Sequence, residues 1–227
     1  MRAKEIYFGL LKRWESECSD GPWLESLKKQ YNIGTNEWTG DRFFLITISW
    51  GPWRPERQMD VWILMKNKYP KVVEDLREAR EDFKGFPLPW QNARIMAASR
   101  YLRNNSKALK DVISELRPLP GLEAINYLAD ICEVKQNKKT ISCFIRDFLL
   151  KDTFPIDTRV AAMLSCLELP KTEEEVVEVC KKEGISSRVL DRMFYSQWDE
   201  CPGKLKEKYK CEKCGIERYC RDSFLKK

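Results

Sequence analysis

The 227-residue sequence contains no histidine. Histidine is the commonest general base near neutral pH and a frequent metal ligand, so its absence excludes every site that needs an imidazole. Proton transfer must therefore use carboxylates, lysine, tyrosine or cysteine. A metal held by protein ligands alone must bind to cysteines or carboxylates.

Long apolar runs are also missing. A helix that crosses a bilayer needs about 20 apolar residues, and the most apolar stretch, 43–50, is far shorter. The N-terminal stretch 1–16 carries charges throughout and predicts an amphipathic helix, not a secretion signal. We therefore expect a cytoplasmic protein without a membrane partner.

Alternating strand patterns are scarce, whereas apolar residues recur at helical spacing. Thr172 with Glu175 predicts a capping box, Gly184 a helix end, and Ser106 and Ser187 two N-caps. We expect an all-α fold. The predicted helices are Glu5–Cys18, Val72–Phe83, Gln91–Arg103, Lys107–Leu116, Leu122–Val134, Thr140–Leu150, Arg159–Cys166, Glu173–Lys182 and Arg188–Trp198.

Four of the nine cysteines lie within 20 residues, as Cys201-x9-Cys211-x2-Cys214-x5-Cys220. Four thiolates suit either a tetrahedral zinc ion or a [4Fe–4S] cluster. The single short pair favours the iron–sulfur cluster, with zinc as the alternative. The other five, which lie mostly among apolar neighbours, are expected to be buried thiols: Cys18, Cys132, Cys143, Cys166 and Cys180.

Most of the net charge of +6 lies at the C-terminal end, where 201–227 contains nine lysines and arginines and four acidic residues. Four lysines alternate along the loop between the first two clustered cysteines, and such a row suits phosphate contacts. A solvated tail is the alternative. These lysines are Lys204, Lys206, Lys208 and Lys210.

The segment 38–62 is rich in tryptophan and arginine, and Trp50, Trp53 and Arg54 lie in a proline-containing turn. A loop of this composition can stack on bases or insert into a duplex. A buried tryptophan cluster is the alternative interpretation.

Lys139 lies at the first turn of one predicted helix and Asp157 at the N-cap of the next. The first helix is roughly 16 Å long, and the connection 151–156 spans up to about 20 Å, so the chain can return Asp157 to Lys139. A lysine amine can form a Schiff base. A surface lysine and an ordinary N-cap are the alternatives.

These segments together resemble the helix-hairpin-helix DNA glycosylase superfamily, in particular endonuclease III. The resemblance rests on Lys139-Thr140, on the Pro-Ile-Asp-Thr-Arg-Val segment at 155–160, and on the cysteine loop that follows a helix. It covers roughly Arg42 to Cys220. The Lys139-Thr140-Ile141 stretch is also similar to archaeal 8-oxoguanine glycosylases.

Three features depart from the family pattern. The family hairpin is Leu-Pro-Gly-x-Gly, whereas 133–137 here is Glu-Val-Lys-Gln-Asn and contains neither glycine. Asn137 adopts left-handed backbone angles more readily than Lys135. The first cysteine gap is nine residues where the family usually has six, and Arg159 replaces the usual histidine.

The resemblance implies a two-lobed helical fold with a [4Fe–4S] loop. One lobe would be 1–38 with 157–227, which carries the cluster, and the other would be 39–156, which ends in the hairpin. It also implies a monomeric, nucleoid-associated enzyme that acts on double-stranded DNA with a damaged base. DNA contacts are expected from the hairpin and its surroundings: Lys135, Gln136, Asn137, Lys138 and Arg159.

By this resemblance a damaged nucleotide flips into a pocket, Lys139 attacks the sugar C1′ and Asp157 stabilises the developing oxocarbenium charge. The resulting Schiff base permits β-elimination. An oxidised base, either 8-oxoguanine or an oxidised pyrimidine, is the expected substrate. The alternatives are a glycosylase without lyase activity and a non-catalytic metal-bound DNA-binding protein.

Overall fold

The computed structural model describes residues 2–18, 63–199 and 216–220, and within them every regular element is a helix. The expected all-α class is therefore confirmed for this part of the chain. None of its helices combines the length and apolar character that a membrane crossing requires. The α-helices are α1 Arg2–Cys18, α2 Pro70–Glu74, α3 Pro89–Asn104, α4 Leu109–Leu116, α5 Gly121–Ile131, α6 Lys139–Leu149, α7 Thr158–Cys166, α8 Glu173–Glu183 and α9 Ser187–Asp199.

Short helical pieces complete the described chain, at 63–68, Leu76–Glu78 and Glu217–Tyr219. The chain divides into two compact units. The terminal unit is Met1–Gln30 with Asp152–Lys227, and the central unit is Tyr31–Lys151. The boundaries expected from the sequence, at 38/39 and 156/157, stay a prediction.

The central unit is built around α3, α5 and α6, with α5 packed against α6, α3 and α4. Its interior is formed by the apolar faces of these helices, because residues three and four apart lie on one side of a helix. Phe144 and Ile95 are fully buried. Ser99 Oγ donates to the carbonyl of Ala79 at 2.9 Å, which ties α3 to the preceding segment.

In the terminal unit, α9 packs against α1, α7 and α8. Phe154 and Phe194 meet edge to face in its core, with ring centroids 5.8 Å apart. The buried indole of Trp14 donates to Gln197 Oε1 at 3.0 Å, so a polar pair inside the unit is satisfied.

One predicted helix, Val72–Phe83, is wrong. The helix α2 ends at Glu74, because Asp75 is extended at φ −141° and its carboxylate accepts from the amide of Arg77. That side-chain bond offers the backbone an alternative to helix continuation. The buried residues Leu76 and Phe83 therefore belong to a tighter turn and the loop that follows it.

The predicted caps have mixed outcomes. Thr172 accepts from the amide of Glu175 and Gly184 ends α8 at φ 68°, as expected. Ser106 is not an N-cap: it has φ 53° and follows the end of α3. The cap before α9 is one residue earlier than expected, since Ser186 Oγ accepts from the amide of Val189.

Four helices end in a left-handed residue followed by a backbone bond that spans five residues, the Schellman arrangement. The bonds are Lys107 to Leu102, Val134 to Ala129, Leu169 to Leu164 and Ile185 to Cys180. Glycine occupies one of the four left-handed positions. The other three carry a side chain that disfavours this conformation: Ser106, Glu133 and Glu168.

Candidate nucleic-acid interface and catalytic residues

A seven-residue turn, 132–138, connects α5 to α6 in the central unit. Glu133 and Asn137 both have φ 54°, whereas Lys135 has no positive φ. Asn137 therefore has the left-handed conformation at the place to which the sequence resemblance assigns the second glycine of Leu-Pro-Gly-x-Gly. Lys135, at the place of the first glycine, does not adopt it, so the turn forms without a glycine at either position.

The turn 132–138, here called the hairpin, is held by side-chain contacts with the neighbouring helices α3 and α5. Arg100 Nη2 donates to both carboxylate oxygens of Glu133, at 2.9 and 3.0 Å. Lys138 Nζ donates to Asn126 Oδ1 at 2.7 Å. Polar side-chain contacts thus hold the turn against α3 and α5, although its backbone contains no glycine.

Arg94 on α3 makes a third set of polar contacts with the hairpin and the start of α6. Its Nη1 donates to Thr140 Oγ1 at 2.6 Å, and its Nη2 lies 3.5 Å from the carbonyl oxygen of Asn137. Its guanidinium carbon lies 4.5 Å from the centre of the Trp90 ring. Burial lowers the pKa of the Arg94 guanidinium below its ordinary value, yet an arginine stays charged at neutral pH.

Sequence reasoning missed Arg94 and Trp90. The available signal was their spacing of four residues, which places a cation and an aromatic ring on one helical face. The link from Arg94 to Thr140 joins residues 46 positions apart, and no local pattern reveals it.

The residues of the hairpin and the first residue of α6 differ in their exposure to solvent. Lys135, Gln136 and Asn137 are exposed, whereas Lys138 and Lys139 are half-buried. Lys139 is the first residue of α6, and the preceding Lys138 makes no side-chain cap. A lysine cannot accept a hydrogen bond, so this helix start combines a positive dipole end with two ammonium groups.

Asp157 is the N-cap of α7 in the terminal unit. Its Oδ1 accepts from the amides of Arg159 and Val160, each at 2.9 Å. These bonds orient a half-buried carboxylate at the helix start. Arg159 turns toward an aromatic ring, with its guanidinium carbon 5.2 Å from the centre of the exposed Tyr195 ring.

The segment that leads to Asp157 is anchored in the core. Thr153, Phe154 and Pro155 are all buried. The amide of Phe154 donates to Glu173 Oε1 at 2.8 Å, which ties this stretch to α8. The position of Asp157 is therefore set by packing within the terminal unit.

Each predicted catalytic residue begins a helix, but Lys139 belongs to the central unit and Asp157 to the terminal unit. Their approach to one another stays a prediction. Other predicted site residues lie outside the described part of the chain: Trp50, Trp53, Arg54, Cys201, Cys211, Cys214, Lys204, Lys206, Lys208 and Lys210.

Cys220 is the one predicted metal ligand in the described residues. It is half-buried and packs against the terminal core beside the buried Ile216. Arg2 Nη2 donates to the carbonyl of Tyr219 at 2.9 Å, which fixes this segment to α1. Four cysteines without histidine form a donor set that fits either a [4Fe–4S] cluster or a structural zinc ion.

The expectation of buried thiols is confirmed for Cys132 and Cys180 but is wrong for Cys143 and Cys166, which are only half-buried. Burial raises the pKa of Cys132 to about 12 and that of Cys180 to about 12. Because metals bind the thiolate, neutral thiols of this kind are poor ligands. Within the described ranges, no three histidine, cysteine or acidic residues are grouped as metal ligands would be.

Comparison with known proteins finds no matching family model, no matching curated protein and no matching solved structure. The functional assignment therefore depends on the residues themselves and on the resemblance drawn from them.

Proposed function

We propose that this protein is a DNA N-glycosylase with abasic-site lyase activity, with Lys139 as the nucleophile and Asp157 as the assisting carboxylate. The observation that carries the proposal is the hairpin between α5 and α6. It delivers Lys139 to a helix start next to Lys138 and Arg94, behind a turn with a left-handed Asn137.

The hairpin suits a DNA backbone. Lys135 is exposed at its tip and Lys138 lies at its base. Cations at this spacing neutralise phosphates and release counterions, which supplies sequence-independent affinity. Phosphate contacts of this kind position a protein on the duplex without selecting a sequence.

The proposed reaction begins on a nucleotide flipped out of the duplex. After its ammonium group loses a proton to solvent, the Lys139 amine forms a bond to C1′ while the bond between C1′ and the base breaks. The base leaves with the electron pair and takes up the proton that the attached nitrogen loses. The C1′–O4′ bond then breaks, O4′ takes up a proton from solvent, and the sugar becomes a protonated Schiff base. Transfer of a C2′ proton to solvent expels the 3′ phosphate and cleaves the strand.

The proposed role of Asp157 depends on the fixed orientation of its carboxylate. Two backbone amides hold one of its oxygens, so the carboxylate is fixed before the substrate arrives. A preorganised negative charge stabilises the cationic sugar that develops as the base departs.

The cysteine loop has a structural role in this proposal. Cys201, Cys211, Cys214 and Cys220 would hold a [4Fe–4S] cluster, which would stiffen the lysine-bearing loop between the first two ligands. Purified protein should then be brown, because an iron–sulfur cluster absorbs visible light. Colourless protein with one zinc per chain would instead support the zinc alternative.

Incision of duplexes that each carry one damaged base tests the enzyme assignment. The panel includes 8-oxoguanine, an oxidised pyrimidine and uracil, with sodium borohydride added to trap the Schiff base. We expect the wild type to release an oxidised base and form a trapped adduct. Lys139→Gln should abolish trapping, and Lys171→Gln, at an exposed lysine of the terminal unit, should retain it as the matched control.

Three other results would each revise the assignment. Base release without any trapped adduct would make the enzyme a glycosylase without lyase activity. Undiminished trapping by Lys139→Gln would contradict the choice of nucleophile. DNA binding without action on any lesion would support the non-catalytic alternative.

A further inference from the structure

The start of α3 exposes an apolar surface beside the hairpin. The four residues 87–90, Pro-Leu-Pro-Trp, are all exposed. Leu88 is 37% exposed and Trp90 is 39% exposed. Trp90 therefore buries most of its surface but still presents part of its indole to solvent next to a basic turn, where it is available to a ligand.

Arg94 connects this surface to the hairpin. One guanidinium lies against the Trp90 ring and also bonds to Thr140 in the first turn of α6. The cation–π contact and the hydrogen bond together restrain both groups. The ring and the hairpin are therefore held as one surface, and a ligand on the hairpin lies close to the indole.

We propose that Trp90 stacks on a base or sugar of the same DNA strand whose phosphates contact the hairpin. This inference rests on the proposed function only in taking DNA as the ligand. An aromatic ring that stacks on bases contributes about 1–3 kcal/mol per base and tolerates any sequence. That property suits an enzyme that must bind lesions in varied sequence contexts.

Charge favours a nucleic acid over a protein partner here. Arg94, Lys135 and Lys138 lie on or beside this surface. The acidic residue of the hairpin, Glu133, is paired with Arg100. An apolar ring among cations matches the alternation of bases and phosphates along a strand.

Fluorescence anisotropy with a labelled duplex tests the proposal. The duplex carries a stable tetrahydrofuran abasic analogue, and a second duplex is undamaged. Trp90→Ala should weaken binding about fivefold or more, the equivalent of one lost stacking contact. Trp90→Phe should stay close to the wild type, because it keeps an aromatic face.

The salt dependence separates stacking from charge. Trp90→Ala should leave the slope of log affinity against log salt unchanged, because it removes no phosphate contact. Phe8→Ala is the matched control, since Phe8 is an exposed aromatic (52%) on α1 of the terminal unit. Trp90→Leu serves as a second variant if Trp90→Ala does not fold, because it retains apolar bulk but has no aromatic face.

Binding by Trp90→Ala within twofold of the control would overturn this inference, and so would a reduced salt slope, which would mean that the change acts through phosphate contacts. Either result leaves the glycosylase assignment standing if the wild type still incises. Wild-type binding without incision contradicts the enzyme alone. Absence of wild-type DNA binding contradicts both.

Discussion

The two helix starts that carry the predicted catalytic pair are built in opposite ways. Before α7, Asp157 caps the helix with its own side chain, and buried residues lead up to it. Before α6, Lys138 makes no side-chain cap, and the turn is held by side-chain hydrogen bonds to α3 and α5. One start presents a fixed carboxylate and the other a cationic end.

The difference matches the chemistry each start would perform. At the start of α7, backbone amides donate hydrogen bonds to the Asp157 carboxylate, and these bonds keep the carboxylate in one orientation. A start flanked by ammonium groups attracts an external anion. In the proposed function, a hairpin that binds phosphates is held by polar side-chain contacts, while the carboxylate proposed to assist is held by the core.

The largest effect should come from the core beneath Asp157. Phe154→Ala removes a fully buried ring that packs on Phe194, and it should destabilise the protein by about 3–5 kcal/mol. Val134→Ala, in the buried part of the hairpin turn, should cost only about 1–2 kcal/mol. Urea denaturation measures the free energy of unfolding of both variants. Equal losses of stability would contradict the proposed difference between the two helix starts.

Two substitutions of Asp157 separate its role as a helix cap from its proposed catalytic role. Asp157→Asn should retain the cap, since asparagine caps about as well as aspartate, but it should slow base removal roughly a hundredfold by losing the negative charge. Asp157→Ala should show the same loss of turnover and a further ~1 kcal/mol loss of stability. Single-turnover incision and thermal melting give the two readouts, and full activity in the asparagine variant would refute the catalytic role.

Two glutamates in left-handed conformation provide a matched pair, one in each unit. Glu133 pairs with Arg100 and Glu168 pairs with Arg2, each at the end of a helix. Replacing either by glycine should stabilise the protein by about 0.5–1 kcal/mol, because relief of backbone strain exceeds the loss of a surface ion pair.

Only Glu133→Gly should also tighten DNA binding, because it removes a negative charge from the hairpin and leaves Arg100 unneutralised. Anisotropy with the undamaged duplex compares the two variants. Equal affinities would argue against the hairpin as the docking surface.

The smallest effect should be that of Lys135 at the hairpin tip. Lys135→Gln should reduce the slope of log affinity against log salt by about 1 and weaken binding to every sequence alike. Titrations at several salt concentrations measure this slope. Lys171, exposed before α8 in the terminal unit, is the control: Lys171→Gln should leave the slope unchanged, and an equal change in both would indicate a general effect of charge.

The sequence predicted most helices of the described chain because their apolar spacing agrees with their packing. It failed at Asp75, where a side-chain hydrogen bond ended the helix before the apolar pattern did. It identified Lys139 and Asp157 as residues at helix starts from local signals. It missed Arg94, whose role depends on a contact with Thr140 across 46 residues, which only the folded packing of α3 on the hairpin creates.

The central claim is that one amine, at the start of α6, becomes covalently attached to the sugar. Reducing the wild-type reaction with borohydride, digesting the adduct and sequencing the modified peptide by mass spectrometry locates that attachment. We expect a nucleotide remnant on Lys139. A remnant on Lys138, on the N-terminal amine or on any other lysine would contradict it.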